Sequence, residues 1–519
     1  MQAQAWRREF ARFVRPFVAA LGHSHQRRWA PIYLQGLLGD GDRKSVEALA
    51  ARVAPDDYQQ LHHFVSASPW PTAPLEAVLA READRLVGGP DAVLVIDATP
   101  IRKQGRHSVG VGPQYCGDIR AQGNAQTVVT ATLARGDVPV VVGMTLYLPK
   151  DWADDPERRR RAGVPNDVVF AERPRLALAE IDRLRAADVR FGCVCADGGY
   201  GKSGHFRRAL TARGLTWAVT ITMRQSAYPA DVEFRVPRRP KHSAPPRHRH
   251  PFVGHTPAPA RPVHAIIAAL GADAFRRVVW RGGTKRAMAG EFAMCRVRLA
   301  VPLPPRGEAL SGAPRQAEPE PAWLVCQRLS QAHKRRPAPG GDGYDYRYYV
   351  TNHPATATPR EVVAALRARW SCEQAHQQLK GELGLGHYEG RGWRGLHHHL
   401  LLTAIAYAFL QHLRLTHANA SPPKAGRGGK MWPYRAHSGR AVGPASGARP
   451  SAGRQSRPRA CQRGSAPCRS AGRPVRARGA ARAGRRLPQR SAVRRAVPSV
   501  SRPGAPAMTG RAGAPHDHA

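Results

Sequence analysis

Three acids in this chain have the types and settings that phosphodiester chemistry asks for: Asp97, Asp197 and Glu373. Cutting or transferring a phosphodiester requires charge stabilisation on the attacking and the leaving oxygen. Two divalent cations about 3.5–4 Å apart supply it, and hard cations prefer carboxylate oxygens. Asp97 closes the apolar, β-branched run AVLVID (92–97), and Asp197 closes FGCVCAD (191–197), so each reads as the end of a buried strand. If those strands are neighbours, both carboxylates emerge at one edge of the sheet. Glu373 sits in a helical stretch with Arg369 four residues before it, His376 three after and Lys380 seven after. At about 100° per residue all four share one face, which pairs an acid with phosphate-gripping bases. Singly, each signal has a plainer reading: an acid at a strand end is more often a turn or cap residue, and a helix Glu flanked by bases is more often a solvated ion-pair face. The ordered triple lifts the chemical reading above these.

The elements that must position these acids follow from the pattern. Residues 1–90 read as helical: Ser45 can cap VEALAARVA, a turn at Ala54-Pro55-Asp56 follows, then DYQQLHHFVSAS. Two short helices around a tight turn fit a helix-turn-helix or a plain helical bundle equally. After AVLVID come the strands QTVVTATL (126–133) and VPVVVGMTLYL (138–148), joined at Arg135-Gly136-Asp137, then a helix over 172–187 and FGCVCAD. A helix over 204–214 and the strand WAVTI (217–221) complete a mixed α/β sheet with crossover helices over 91–221. Residues 222–357 mix basic, Pro-rich text with the strands RRVVWR, FAMCRVRLAV, AWLVCQR and YRYYVTN, and read as a β-rich insertion. Thr358-Pro359-Arg360-Glu361 supplies a capped helix start, predicting one helix over 359–382 and an apolar helix over 396–414 within a segment 358–416.

The chain has 519 residues and a formal net charge of +44, which points to nucleic acid as partner. From His417 onward it holds 22 Lys and Arg against one acid, Asp517, in Arg/Ala/Gly/Pro/Ser text without apolar periodicity. Residues 417–519 therefore read as a disordered basic tail, in the style of a GC-rich gene translated out of frame. No apolar run is long enough to span a membrane, and the amphipathic start lacks a signal-peptide pattern. Eight cysteines without a CxxC pair fit a reduced, cytoplasmic setting beside the nucleoid. Cys116, Cys193 and Cys195 read as small core residues, and His397-His398-His399 fan out too widely on a helix to hold zinc.

Several blocks carry a resemblance: VLVIDATPIRKQGRHSVGVGPQYCG, LARGDVPVVVGMTLYLPKDWADDPERRRRAGVP, FGCVCADGGYGKSGHFRRAL, and RARWSCEQAHQQLKGELGLGHYEGRGW followed by LHHHLLLTAIAYAFLQH. In this order, over roughly residues 5–415, they resemble DDE transposases of the insertion-sequence-701 family, related to the insertion-sequence-4 type. The resemblance implies a ribonuclease-H-like catalytic fold and makes Asp97, Asp197 and Glu373 the metal-holding triad, with two Mg2+ or Mn2+ ions. It implies a nick at the ends of a mobile element, then attack of the freed 3′-OH on target DNA, in a homodimer or higher synaptic oligomer on double-stranded DNA. Arg369 and Lys380 match the related group's Arg-x3-Glu-x6-Lys element, whose usual Tyr is Leu366 here; Ala98 stands where many relatives have a second Asp. Trp280 is a candidate for stacking on a base, against the plainer reading of a core aromatic. Lys202 is a candidate phosphate contact, against surface solvation, and the stretch 238–250 reads as a basic loop touching DNA. Alternatives remain a DNA-binding relic without activity, an endonuclease of the same fold without strand transfer, and a basic nucleic-acid-binding protein with no chemistry.

Overall fold

The computed structural model describes residues 2–117, 119–232, 259–282, 287–300, 320–331 and 342–417. The basic loop 238–250 and the tail from 418 onward lie outside the described residues. Five helices open the chain: α1 (Gln2–Ala19), α2 (Ser24–Leu38), α3 (Val46–Val53), α4 (Tyr58–Ser66) and α5 (Ala73–Val87). Ser45 occupies the N-cap position of α3, but its hydroxyl accepts from Arg43 Nε at 3.3 Å rather than from the helix.

A ribonuclease-H-like mixed sheet follows. Strands β1 (Gly89–Arg102), β2 (Gly112–Cys116), β3 (Ala121–Arg135) and β4 (Val138–Tyr147) are antiparallel around β3. The β3–β4 turn needs the left-handed backbone of Gly136 (φ 64°), which a residue without Cβ adopts freely. Helices α6 (Lys150–Ala153), α7 (Pro156–Ala162) and α8 (Arg173–Ala186) lead to β5 (Phe191–Ala196), which pairs in parallel with β1. After α9 (Gly198–Gly201) and α10 (Gly204–Ala212), β6 (Trp217–Ile221) pairs in parallel with β5.

The insertion forms β7 (Ser226–Pro229), β8 (Arg261–Pro262), α11 (Val263–Leu270), β9 (Arg276–Arg281), β10 (Met288–Leu299), β11 (Glu320–Ser330) and β12 (Tyr344–Thr351). It is not a separate layer. β12 pairs with β6, so both parts make one 12-stranded sheet in the order β2-β3-β1-β5-β6-β12-β11-β10-β7-β8, with β4 on β3 and β9 on β10. The chain then returns through α12 (Pro359–Arg367), α13 (Arg369–Gly381) and α14 (Trp393–Thr416).

Alternation along the strands decides what each face buries. On β1, Leu94 and Ile96 enter the large core shared with the N-terminal helices and α14. Val93 and Val95 point the other way, to α12 and α13, where Val362, Val363, Leu366 and Cys372 meet Cys193 and Cys195 of β5. Cys116, Cys193 and Cys195 are all buried, as read from sequence. The three histidines of α14 diverge: His397 contacts Trp393, His398 stacks on Trp70 with centroids 3.5 Å apart, and His399 bonds Tyr33 Oη at 2.8 Å. No helix among the described residues is long and apolar enough to cross a membrane.

Candidate active site

Asp97 is the next residue on the face that Val93 and Val95 define, so period-two alternation aims its carboxylate at α13. In one respect the strand differs from expectation. Asp97 does not end β1, which continues to Arg102 because β3 goes on pairing with it, from Asp97↔Thr130 to Arg102↔Ala125. It is β5 that ends, one residue before Asp197, in the register Ile96↔Ala196. The two acids therefore stand side by side where β1 loses a neighbour. The Asp97 carbonyl accepts instead from Tyr200 Oη at 3.3 Å and Thr130 Oγ1 at 3.3 Å.

Asp197 caps the one-turn α9, its Oδ1 accepting from the amides of Gly199 (2.9 Å) and Tyr200 (3.3 Å). This turn is glycine-rich for a steric reason: a Cβ on Gly201 would lie 2.0 Å from the carbonyl oxygen of Thr220 on β6. The capped start of α12 is as read, with Thr358 Oγ1 accepting from Glu361 N and Glu361 returning to Thr358 N. The single helix predicted over 359–382 is interrupted at Ala368. There the Ser371 hydroxyl donates to the Ala368 carbonyl at 2.6 Å, and the Ser371 amide closes a three-residue turn on the same oxygen. A side-chain hydroxyl competing for a helix carbonyl loosens the ladder locally. α13 thus begins afresh at Arg369.

Arg369 is the centre of the site. Its guanidinium donates to Asp97 Oδ2 at 3.0 Å and to Glu373 Oε1 one turn along α13. Burial works against its charge, but the fields of Asp97, Glu373 and Asp197 outweigh it and raise its pKa. Burial pushes Asp97 up to about 6; Arg369 pulls it back, while Asp197 and Glu373 push it further up. One cation bridges two carboxylates, Asp97 and Glu373, and feels the field of a third, Asp197. Carboxylate oxygens are the donors that hard divalent ions such as Mg2+ or Mn2+ prefer, and the chemistry of these side chains suits them.

A second donor group lies behind it. Asp97, Cys372 and His376 are all buried and bring ligand atoms within 4.8 Å of one another. Its sulfur and nitrogen are softer donors, already engaged: Cys372 Sγ with Thr132 Oγ1 at 3.4 Å and His376 Nε2 with Thr130 Oγ1 at 2.9 Å. His376, expected on the phosphate-gripping face, is therefore an interior residue. Burial lowers its pKa to about 3, with Lys380 and Arg369 acting in the same direction, so it offers a phosphate no charge. The helical-wheel reading placed it within a few tens of degrees of Glu373, but that is where α13 turns from solvent to sheet.

Lys202 is exposed directly after α9, and Lys380 is half-buried on the Glu373 side of α13. Trp280 is half-buried against the core beside α12, edge-on to Phe292 (centroids 5.9 Å apart) with the Arg367 guanidinium 5.2 Å over its ring. Sequence reasoning missed Trp370. It is 41% exposed beside Arg369, with the Arg281 guanidinium 5.4 Å over its ring. An unburied Trp next to the Arg of the Arg-x3-Glu-x6-Lys element was the available signal.

The fold is a ribonuclease-H-like mixed sheet that carries Asp97 on β1, Asp197 just after β5 and Glu373 on the covering helix α13. A family model described as DDE superfamily endonuclease matches residues 16–287, and this chain belongs to that family. The match includes Asp97 and Asp197 and stops short of Glu373. The chain is also similar to a probable transposase for insertion sequence element IS701 from Microchaete diplosiphon, with 30% identity over 187 residues. That alignment covers 36% of this chain and 46% of the relative, so the chain spans under half the length of the curated protein it matches.

Proposed function

We propose that this protein is the transposase of a bacterial insertion sequence, cutting DNA at the element's terminal inverted repeats and joining the freed 3′-OH ends to target DNA. Asp97, Asp197 and Glu373 are assigned as the carboxylates that hold two Mg2+ or Mn2+ ions. When bound, the ions would lower the pKa of the attacking oxygen and neutralise the leaving one. The chain's own residues do the rest. Asp97, fixed by its backbone pairing and buried, sets the position of the reacting phosphate. Asp197 is oriented by the amides of the α9 turn, and Glu373 adjusts from the more exposed side of α13. Arg369, exchanging carboxylate partners for a phosphate, would balance charge as substrate enters. Its bridging of Asp97 and Glu373, within the field of Asp197, is the observation that carries this reading.

On the same reading, residues 1–90 form a DNA-binding helical region, 91–221 with 358–416 the catalytic domain, and 222–357 an insertion beside it. The working form is a homodimer or higher oligomer on paired ends, in the cytoplasm at the nucleoid. The test is direct. Purified protein is incubated with linear DNA carrying the element's ends, a target plasmid and Mg2+ or Mn2+. Joined products support transposition, cleavage without joining reduces the reading to an endonuclease, and binding without either removes the chemistry.

A further inference from the structure

Away from the carboxylates, three segments enclose a cleft of about 630 Å³. One wall is the α2–α3 loop with Asp42 and Arg43, the second is the end of β1 and the loop to Ser108, and the third is the loop 386–391 between α13 and α14. The walls are built against one another. The Val109 amide donates to Arg391 O at 3.0 Å, and Asn124 Nδ2 holds the carbonyls of Lys103 (2.9 Å) and Gly105 (2.8 Å). Arg43 pairs with Glu389 across the opening.

The lining is cationic. Arg43 and Glu389 offset each other, which leaves Arg102, Lys103 and Arg391 against Asp42. Lys103 is fixed in place, its Nζ donating to the Tyr388 carbonyl at 2.5 Å and the Gly386 carbonyl at 3.4 Å. Arg102 and Arg391 are exposed at the rim.

The cleft's position follows along β1, whose last residue, Arg102, lines it. From Asp97 to Arg102 along β1, at about 3.3 Å per residue, is roughly 17 Å. Strand β1 thus runs from Asp97 to one wall of the cleft, and the loop that follows α13 supplies another. Duplex DNA rises 3.4 Å per base pair, so the cleft lies about five base pairs from the carboxylates.

We infer that this cleft grips the sugar–phosphate backbone of duplex DNA about half a helical turn from the bond that is cut. The inference rests on the DNA-cleaving reading above and names where its substrate is held. A backbone contact at that distance fixes register without reading sequence.

The experiment uses the full-length chain in EDTA and a fluorescein-labelled 30-base-pair duplex of mixed sequence, with Kd followed across salt concentration. Arg102→Ala with Arg391→Ala removes two phosphate partners and should weaken binding about tenfold at 150 mM KCl. It should also reduce the slope of log K against log salt by about 2, since each neutralised phosphate contributes about 0.9. Arg160→Ala with Arg161→Ala on α7 removes the same charge elsewhere and should change both far less. Unaltered melting of each variant separates lost contact from lost fold, and Arg391→Lys should restore most of the slope. Wild-type protein that fails to bind the duplex would overturn the DNA reading and the cleft with it. Wild-type binding with equal effects from the two double variants, or none from the cleft pair, would overturn the cleft alone.

Discussion

At the scale of single residues, the site is governed by how much negative charge is gathered around Asp97. Its pKa lies at about 6 against an ordinary 3.8, so the folded chain binds a proton more tightly than the unfolded one. Asp97 therefore destabilises the metal-free fold progressively as pH rises from about 4 through about 6, by roughly 2–3 kcal/mol once ionised. Asp97→Asn should accordingly melt higher than wild type at pH 7 in EDTA, with the gain vanishing near pH 4. A thermal shift series across pH checks this, and an unchanged melting temperature at pH 7 would contradict it. Arg369→Ala should do the reverse, lowering metal-free stability by about 2–4 kcal/mol because it strips a mostly buried cation from Asp97 and Glu373. Millimolar Mg2+ should recover a larger share of stability in that variant than in wild type, read as the melting shift on adding the ion.

At the scale of elements, the chemistry depends on helices docked through buried histidines. His399 accepts from or donates to Tyr33 Oη on α2 and meets the Gly384 carbonyl at 3.1 Å; burial lowers its pKa to about 4. Because the folded pKa is below the unfolded 6.5, its neutral form favours folding at higher pH, and that contribution is lost as pH falls from 6.5 toward 4. His398, lowered to about 4, and His376, lowered to about 3, act in the same direction. Melting temperature should drop steeply over this interval, and His399→Gln should flatten part of the drop while lowering the plateau. A flat profile between pH 6.5 and 4 would show that α14 does not depend on neutral histidines.

The elements themselves were legible to different degrees. WAVTI and RRVVWR match β6 and β9 residue for residue, since turn residues and charge bound each apolar run. β2 and the short α6 and α7 carry too little periodic text to be read. The break at Ala368 coincides with a bond from the Ser371 hydroxyl to its carbonyl, which no hydrophobic pattern records. Asp97 and Asp197 were found from strand ends, but the overrun of β1 past Asp97 depends on which neighbour stops first. That is a property of pairing between distant segments.

For the whole molecule, the decisive feature is the β6–β12 pairing that joins the insertion to the catalytic strands. Sequence text showed a compositional change at about residue 222, and the composition gives no sign that the strands beyond it return to the same sheet. A second link is buried Arg207 of α10. It holds the Gly201 carbonyl in the Asp197 turn and lies 3.7 Å from Glu320 at the start of β11. Arg207→Ala would take from Glu320 its nearest cation and leave only the field of Arg208, so a loss of about 2–4 kcal/mol is expected in chemical denaturation. Catalytic strands and insertion should then unfold in one transition, as in wild type; two separated transitions in either protein would contradict a continuous sheet. The central claim, that Asp97, Asp197 and Glu373 hold divalent ions which cut and join DNA, is met most directly by one comparison. Wild-type protein and Asp97→Asn are given the same element-end DNA, target plasmid and Mg2+. The account predicts joined products from wild type alone, with DNA binding retained by both. Products from Asp97→Asn at the wild-type rate would contradict it.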